Sequence, residues 1–562
     1  MKFKKVPCAI STETTLYNKT GSWRNYRPVY QNRLPPCNNV CPSGEKIQGY
    51  IDILNQSPAD YTKAWELLTA DNPFPATCGR VCFHPCEQSC NRSDYDEPIG
   101  IHHIERVIGD FGLSKSLKWR MPKPDKRFKI AIIGGGPAGL SCAYHLRRLG
   151  YQSTIFEADN KLGGLLSQGI PKYRLPQDIV QAEIRRITAN GVNVRLNSPI
   201  NQSIFSKLLN DYNAVFVAIG AHNERKLNIQ GEDKPVPPDG GTNRDNQSVI
   251  PALEFLYNLA HNKKVKIGSR VGIIGGGNAA MDVARSVLRL GKKPIVIYRR
   301  TENEMPAIPD EIHEAKEEKI EFITLAAPHR IITRNNKIVA LECVRMKLGP
   351  ADKSGRRTPI PVRNSNFRIA LNTIIPAIGE EVDASFLPYS LQENNRIKVL
   401  EDGITTSHKG VFAGGDAVTG PRTVVEALGA GRKAAALIHY HLKKPKLPQP
   451  AIEKPVAFED LNTAYFEHAV RVQPEKIGLP QRFSSFAEVY KGYTAKQALQ
   501  ESSRCFSCGV CNKCDNCFVF CPDMSVKKKN GRYEYDYEYC KGCGVCVLEC
   551  PRNAIKLVEE KR

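Results

Sequence analysis

Twice in this sequence a short aliphatic run breaks into a glycine-rich turn and then into a helical pattern. The first instance runs from residues 129–133 (KIAII) through Gly134-Gly135-Gly136-Pro137-Ala138-Gly139 into a helical pattern over 140–149. The second runs from residues 270–274 (RVGII) through Gly275-Gly276-Gly277-Asn278-Ala279-Ala280 into a helical pattern ending at Leu290. A buried strand can turn this sharply into a helix where glycine removes the Cβ. The free N–H groups and partial positive charge of the helix start then make a cradle for a pyrophosphate. Alternation of strand and helix over 126–440 supports an α/β fold with parallel sheets. Two cradles in one chain point to two dinucleotides.

The two turns diverge downstream. After the first, a strand at 153–156 ends at Glu157, 18 residues beyond Gly139, with Ala158 beside it. A carboxylate there accepts hydrogen bonds from ribose hydroxyls. Glu157 lies 23 residues after Gly134, and the residue 23 after Gly275 is Tyr298, followed by Arg299 and Arg300. Arginine can pair with a 2′-phosphate that a carboxylate would repel, so this site is expected to hold NADP(H), with NAD(H) as the other choice and plain surface charge as the alternative for the two arginines. The first site then takes FAD. A third segment, GVFAGGD at 410–416, is a strand ending at Gly415-Asp416. A helix opens behind it at Thr423, Val424 and Ala427. Asp416 is expected at the ribityl chain or pyrophosphate, a simple helix cap being the alternative.

The chain has 19 Cys, of which six lie between Cys37 and Cys90 and ten between Cys505 and Cys550. Cys8, Cys142 and Cys343 stand apart, the last two reading as core residues. Clustering in a chain of 562 residues, in which the opening MKFKK leads one to expect no secretory signal, argues for metal rather than disulfides, and for the reducing cytoplasm. Cys511-x2-Cys514-x2-Cys517-x3-Cys521-Pro522 and Cys540-x2-Cys543-x2-Cys546-x3-Cys550-Pro551 are two bacterial ferredoxin runs. In such pairs the fourth cysteine serves the other cluster. Cys511, Cys514, Cys517 and Cys550 should therefore hold one [4Fe–4S] cluster, and Cys540, Cys543, Cys546 and Cys521 the second. Cys505 and Cys508 continue the spacing upstream and are surplus: spare thiols, or an alternative register.

The formal charge is +22, from 80 Lys+Arg against 58 Asp+Glu. The basic residues are spread along the chain and no nucleic-acid motif is present, so a nucleic-acid partner is not expected. Either a solvated basic surface or steering of an acidic electron carrier accounts for the charge. No apolar run is long enough to span a bilayer. No nucleophile elbow or metalloprotease motif occurs, so no catalytic side chain is assigned; the chemistry is that of the cofactors.

The runs GRVCFHPCEQSC, IGIHHIERVIGD, AIIGGGPAGL, KLGGLLSQGIPKYRLP, AIGAH, GIIGGGNAAMDVAR, YRRTENEMPA and FAGGDAVTGPRTVVEALGAGRKAA make residues 30–440 resemble the small (beta) subunit of glutamate synthase. The same module occurs in dihydropyrimidine dehydrogenase and in the NADPH subunit of electron-bifurcating transhydrogenase. The resemblance implies an α/β flavoprotein with two dinucleotide-binding domains, the NAD(P) domain inserted into the FAD domain, preceded by a helical iron–sulfur domain and followed by a ferredoxin-like α+β domain. The expected boundaries are 1–125 for the helical iron–sulfur domain, 126–252 with 373–445 for FAD, 253–372 for NAD(P)H, 446–502 for a linker or extension, and 503–562 for the 2[4Fe–4S] domain. Gly163, Gly164, Leu165, Arg174 and Gly220 join the cofactor-binding residues, as do Ala377 and Gly379, whose segment, like that of Gly220, reads as a strand crossing between the two domains.

The resemblance also implies that Cys41, Cys82, Cys86 and Glu105 hold an N-terminal cluster, with a surface carboxylate or an Arg106 partner as the alternative for Glu105. Cys37 and Cys90 are left as ligands of a partial or rearranged second site, because the two cysteines that the family carries just upstream of Cys37 are missing. Cys78 reads as a buried thiol, and His102 and His103 as structural. The expected activity is NAD(P)H:acceptor oxidoreduction, with electrons passing to or from a ferredoxin or a larger redox enzyme, a homodimer being compatible. TGSWRNYRPVYQNRLPPCNNVCPSGE and AFEDLNTAYFEH resemble electron-input subunits of 2-oxoacid oxidoreductases or of the sulfur-oxidising sulfite reductase system. The competing readings are a glutamate synthase small subunit feeding a large subunit, and a non-catalytic scaffold of a redox complex.

Overall fold

Ile130, Ala131, Ile132 and Ile133 are all at most 3% exposed, as a strand covered on both faces by helices requires. In the computed structural model, which describes residues 17, 19–232, 249–335, 337–352, 355–444 and 454–560, this segment is the middle of a five-stranded parallel sheet. The order is Val411–Ala413, Ala214–Val217, Asp125–Ile133, Tyr151–Phe156, Asn193–Arg195. Helix Pro137–Arg148 lies along helix Val424–Lys443. They approach so closely that a Cβ on Gly431 would run into the Ala138 carbonyl.

The second nucleotide turn sits in a four-stranded parallel sheet ordered Thr373–Pro376, Arg270–Ile274, Lys293–Ile297, Glu321–Ile323. A three-stranded antiparallel sheet (Ala326–Arg334, Lys337–Ala351, Arg357–Ala370) shares its core through Ile274, Leu341 and Cys343. This unit is inserted between two halves of the first. The expected boundary at 373 is too early: residues 373–376 pair with Arg270–Ile274 and belong to the inserted domain. The chain leaves and returns side by side, since Asn223–Glu224 pairs antiparallel with Glu380–Glu381.

Helices Ile47–Leu54, Tyr61–Thr69, Pro75–Val81 and Ile101–Ser114 form the N-terminal module around Tyr50, Trp65 and Ile104. Asp60 caps the second of these, its carboxylate accepting from Lys63 N at 2.9 Å. Residues 1–125 are not one block, however. Strand Tyr26–Tyr30 pairs antiparallel with Ile555–Glu559, completing the C-terminal module with the hairpin Val526–Lys529/Arg532–Tyr535. An isolated edge strand this short needs a partner, and here the partner comes from the far end of the chain.

The segment expected as a linker or extension packs as a strap; residues 446–453 of it lie outside the described ones. Val489 N donates to the Tyr173 carbonyl at 2.9 Å, Arg482 pairs with Glu314 at 3.1 Å, and Glu501 accepts from Gly100 N at 2.8 Å. It therefore touches the FAD domain, the inserted domain and the N-terminal module. Among the described residues no helix is long and apolar enough to cross a membrane.

Candidate cofactor sites

At the C-terminal edge of the five-stranded sheet lies a cavity of about 360 Å³. Gly134, Gly136, Pro137, Ala138, Glu157 and Ala158 line one side, and Gly164, Leu165 and Gly220 another. Gly415, Asp416, Thr423, Val424 and Ala427 close it. Gly134 has φ +104°, and a Cβ there would strike the Ala218 carbonyl, so glycine is obligatory at the turn. The Glu157 carboxylate is fixed by Gly135 N at 2.7 Å and Asp159 N at 2.9 Å. Asp416 accepts from Arg422 N at 3.0 Å, and burial pushes its carboxyl up to about 6. Thr423 and Glu426 form a capping box that starts helix Val424–Lys443 at the cavity wall. A long apolar-walled slot with a helix start, a glycine turn and a fixed carboxylate suits the pyrophosphate, ribose and ring of a flavin dinucleotide.

Several expected residues take other positions. Gly139 and Gly163 do not line the cavity: Gly139 lets its helix approach the Gly134 carbonyl, and Gly163 N donates to the Gly135 carbonyl at 2.8 Å. Arg174 is corrected. Its guanidinium lies 2.8 Å from Asp282 and 2.8 Å from Glu311, both on the inserted domain, so it ties two domains together instead of facing the cavity. His222 and Phe386 also line the slot; His222 stands in the AIGAH run, whereas Phe386 left no local signal.

In the inserted domain Gly275 has φ +151° and its Cβ would strike the Ala377 carbonyl, the same device as Gly134. Helix Asn278–Arg289 begins directly behind Gly277, with Ala279 next and Ala280 fully buried, as close helix–sheet packing demands. Asn278 Oδ1 accepts from Ile308 N at 2.9 Å. Gly379 has φ +105° with open space around it. The two arginines separate. Arg299 is exposed. Arg300 is 5% exposed, its guanidinium held by the Arg357 carbonyl at 2.7 Å and Asp352 at 3.0 Å, so it is corrected from phosphate ligand to structural residue.

The C-terminal thiols gather as two crossed sets. Burial pushes Cys517 up to about 11, with Cys511, Cys514 and Cys550 beside it. Burial likewise pushes Cys546 up to about 11, with Cys540, Cys543 and Cys521 beside it. Protonated thiols in such crowding are what a metal centre would relieve, since cluster ligands are thiolates. Polar groups point at the sulfurs: Tyr30 OH at 3.2 Å from Cys517, Ser525 N at 3.3 Å from Cys521, and Ala554 N at 3.4 Å from Cys550.

In the N-terminal module burial pushes Cys41 up to about 12, with Glu45 and Glu105 nearby. Cys82 has Glu105 and Cys41 beside it, and Cys86 has Cys82 and Cys41. Glu105 is 4% exposed, so it is no surface carboxylate. Arg106 pairs with Glu488 at 3.0 Å instead of with it. Among the described residues Glu105 has no cationic partner; Asn72 Nδ2 donates to it at 2.8 Å, and burial holds its carboxyl well above the usual range. A buried acid without a counter-charge among cysteines suits a ligand of an iron cluster. Cys78 is 1% exposed, and Cys142 and Cys343 are fully buried core residues. His102 Nδ1 lies 2.7 Å from Glu87, the two standing with His84 as a close group of potential metal ligands that holds no ion here, and the His103 ring packs on Tyr493. Cys8 lies outside the described residues.

Comparison with known proteins gives three family matches: pyridine nucleotide-disulphide oxidoreductase over residues 128–431, dihydropyrimidine dehydrogenase domain II with a 4Fe-4S cluster over 23–117, and 4Fe-4S binding domain over 533–556. The chain is 36% identical over 509 residues to the NADP(+)-dependent formate dehydrogenase subunit beta of Moorella thermoacetica, covering 84% of this chain and 70% of that one. It is 34% identical over 515 residues to the NADPH-Fe(3+) oxidoreductase subunit beta of Geobacter sulfurreducens, covering 84% and 75%. To the glutamate synthase [NADPH] small chain of Escherichia coli it is 32% identical over 435 residues, covering 71% and 87%.

Proposed function

The chain belongs to the pyridine nucleotide-disulphide oxidoreductases, and we propose that it is the nicotinamide-facing subunit of a larger redox complex in the cytoplasm, exchanging electrons with a ferredoxin or a redox-enzyme partner. It is an NADPH-dependent iron–sulfur flavoprotein oxidoreductase whose cofactors are FAD, NADP(H) and [4Fe–4S] clusters. When bound, the flavin couples the two-electron chemistry of a nicotinamide to the one-electron chemistry of the clusters.

The residues divide the work. The turn at Gly134, Gly136 and Ala138 and the helix start at Thr423–Val424 receive the pyrophosphate and flavin, and Glu157 orients the ribose. The turn at Gly275, Gly277 and Asn278 receives the nicotinamide dinucleotide, with Arg299 free to meet its 2′-phosphate. Cys41, Cys82, Cys86 and Glu105 hold the N-terminal cluster, and the two crossed sets hold the C-terminal pair.

One contact carries this reading. Ala427 lines the flavin-type cavity, and Gly429, two residues and about 3 Å further along the same helix, would strike the Pro42 carbonyl if it bore a Cβ. Pro42 follows Cys41, so one rigid helix sets the spacing of cavity and cluster. The ferredoxin-type module argues against a role confined to that of a glutamate synthase small subunit, which would not need it. Anaerobic titration of the purified chain with NADPH should bleach the flavin and make the clusters EPR-active. Bleaching with every cluster silent would overturn the reading, and equal turnover with NADH would overturn the Arg299 assignment.

A further inference from the structure

We propose that Cys37 and Cys90 of the N-terminal module and Cys505 and Cys508 from the threshold of the C-terminal module together hold one further [4Fe–4S] cluster. The surplus pair is then neither spare nor an alternative register of the ferredoxin run, and the partial site at Cys37 and Cys90 is completed from the other end of the chain.

The first ground is the shape of the Cys505-x2-Cys508 turn. In each of the two ferredoxin runs the residue before the second cysteine and the residue after it are left-handed: Lys513 (φ 66°) and Asp515 (φ 70°) about Cys514, Gly542 (φ 74°) and Gly544 (φ 82°) about Cys543. Ser507 (φ 51°) and Gly509 (φ 73°) about Cys508 repeat that conformation. In all three turns the N–H at the first left-handed residue points back at the first sulfur, from Ser507 to Cys505 at 3.4 Å, from Lys513 to Cys511 and from Gly542 to Cys540. A left-handed serine and lysine are costly for ordinary turns, and the shared shape wraps backbone amides around a common centre.

The second ground is placement. Cys37, Cys90 and Cys505 pack against the same core as Trp65 and Ile51. Asn91, the neighbour of Cys90, directs its Nδ2 at Cys508 Sγ over 3.6 Å. Arg92 donates to the Arg504 carbonyl at 2.6 Å, Asn55 to the Ser502 carbonyl at 2.9 Å, and Arg504 pairs with Asp96 at 3.1 Å. Cys37 is half-buried with Cys505, Cys90 and Cys508 as its neighbouring thiols. All four are free of disulfides.

The thiols are not drawn together as a single ion would need. Tetrahedral zinc at Zn–S of about 2.3 Å would draw its sulfurs to about 3.8 Å apart. Among the described residues no three cysteine sulfurs lie mutually within 4.8 Å, and this holds equally for the ferredoxin sets. Its position beside both modules makes the proposed centre a stepping point between the Cys41 cluster and the C-terminal pair.

The inference rests on the cofactor reading above, and iron analysis of the full chain prepared anaerobically separates the two. Four clusters predict about sixteen irons per chain against about twelve for three. Cys505→Ser/Cys508→Ser should fall by about four irons while flavin content and its bleaching by NADPH stay intact. Cys37→Ser should show the same deficit, and Cys37→Ser/Cys505→Ser no larger one. Wild-type protein with full flavin and about twelve irons overturns the inference by itself, even where the variants do not fold. So does a double variant that keeps all its iron, or a Cys37→Ser/Cys505→Ser deficit twice that of either change. A preparation lacking flavin and iron altogether overturns the broader reading instead.

Discussion

The Tyr30 hydroxyl lies 3.2 Å from Cys517 Sγ, although 487 residues separate them in the chain. Burial, with Cys517 beside it, raises the Tyr30 pKa, so the hydroxyl keeps its proton and is the donor once the sulfur is a thiolate. Hydrogen bonds to cluster sulfurs stabilise the reduced, more negative state. Tyr30→Phe should therefore lower the potential of the cluster of Cys511, Cys514, Cys517 and Cys550. A bond worth roughly 1 kcal/mol corresponds to about 40 mV for one electron. EPR-monitored redox titration checks it, and the cluster of Cys540, Cys543, Cys546 and Cys521, which Tyr30 reaches only through Tyr535, should move less.

Gly429→Ala tests the helix that links cavity and N-terminal module. The new methyl meets the Pro42 backbone carbonyl, which cannot rotate away. Overpacking of this kind costs about 1–3 kcal/mol. Flavin content and bleaching should survive, while arrival of electrons in the clusters slows in rapid-mixing experiments. Equal slowing of both would point to general damage.

The adjacent arginines should part company. Arg299→Ala should raise KM for NADPH by about 10- to 100-fold, the worth of a lost charge-assisted contact, and leave KM for NADH unchanged. Arg300→Ala removes a buried partner of Asp352 and of the Arg357 carbonyl. It should lower the melting temperature and leave the ratio of the two KM values near that of the wild type.

Glu183 is buried, and its carboxylate accepts from Ala76 N at 2.8 Å and Thr77 N at 3.0 Å, at the start of helix Pro75–Val81. Burial raises its pKa from an ordinary 4.5 to about 7 despite those donors. A folded-state pKa above the unfolded one gives a contribution fully present below about pH 4.5 and lost as pH rises through about 7. Glu183→Gln should flatten the pH dependence of thermal stability across that window, by about 3 kcal/mol at most. Unchanged slopes for variant and wild type would contradict it.

What the sequence disclosed and what it withheld follow from how local each signal is. Gly134 and Gly275 announce themselves because the carbonyls of Ala218 and Ala377 leave no room for a side chain, and the turn, strand and helix are contiguous. The crossed thiol sets follow from spacing along two short runs. Arg174 at the FAD site and Arg300 at a 2′-phosphate look plausible until their partners are known, and those partners stand 108 and 52 residues away. The strand at Tyr26–Tyr30 carries no mark of its pairing with Ile555–Glu559, since nothing in five residues names a partner at the other end of the chain. The turn at Cys505 was visible as spacing, but only its backbone conformation relates it to the two ferredoxin turns.

That terminal pairing sets a timetable for biogenesis. At roughly 5–20 residues per second, a ribosome needs about half a minute to two minutes to travel from Tyr30 to Ile555. Throughout translation the early strand is an orphaned edge, open to wrong pairing with other nascent chains. Its central Pro28, which lacks a backbone donor, blunts that hazard. The C-terminal module accordingly gains its first strand only once residues 555–559 have been made, so its sheet closes late whatever the order in which the rest of the chain folds.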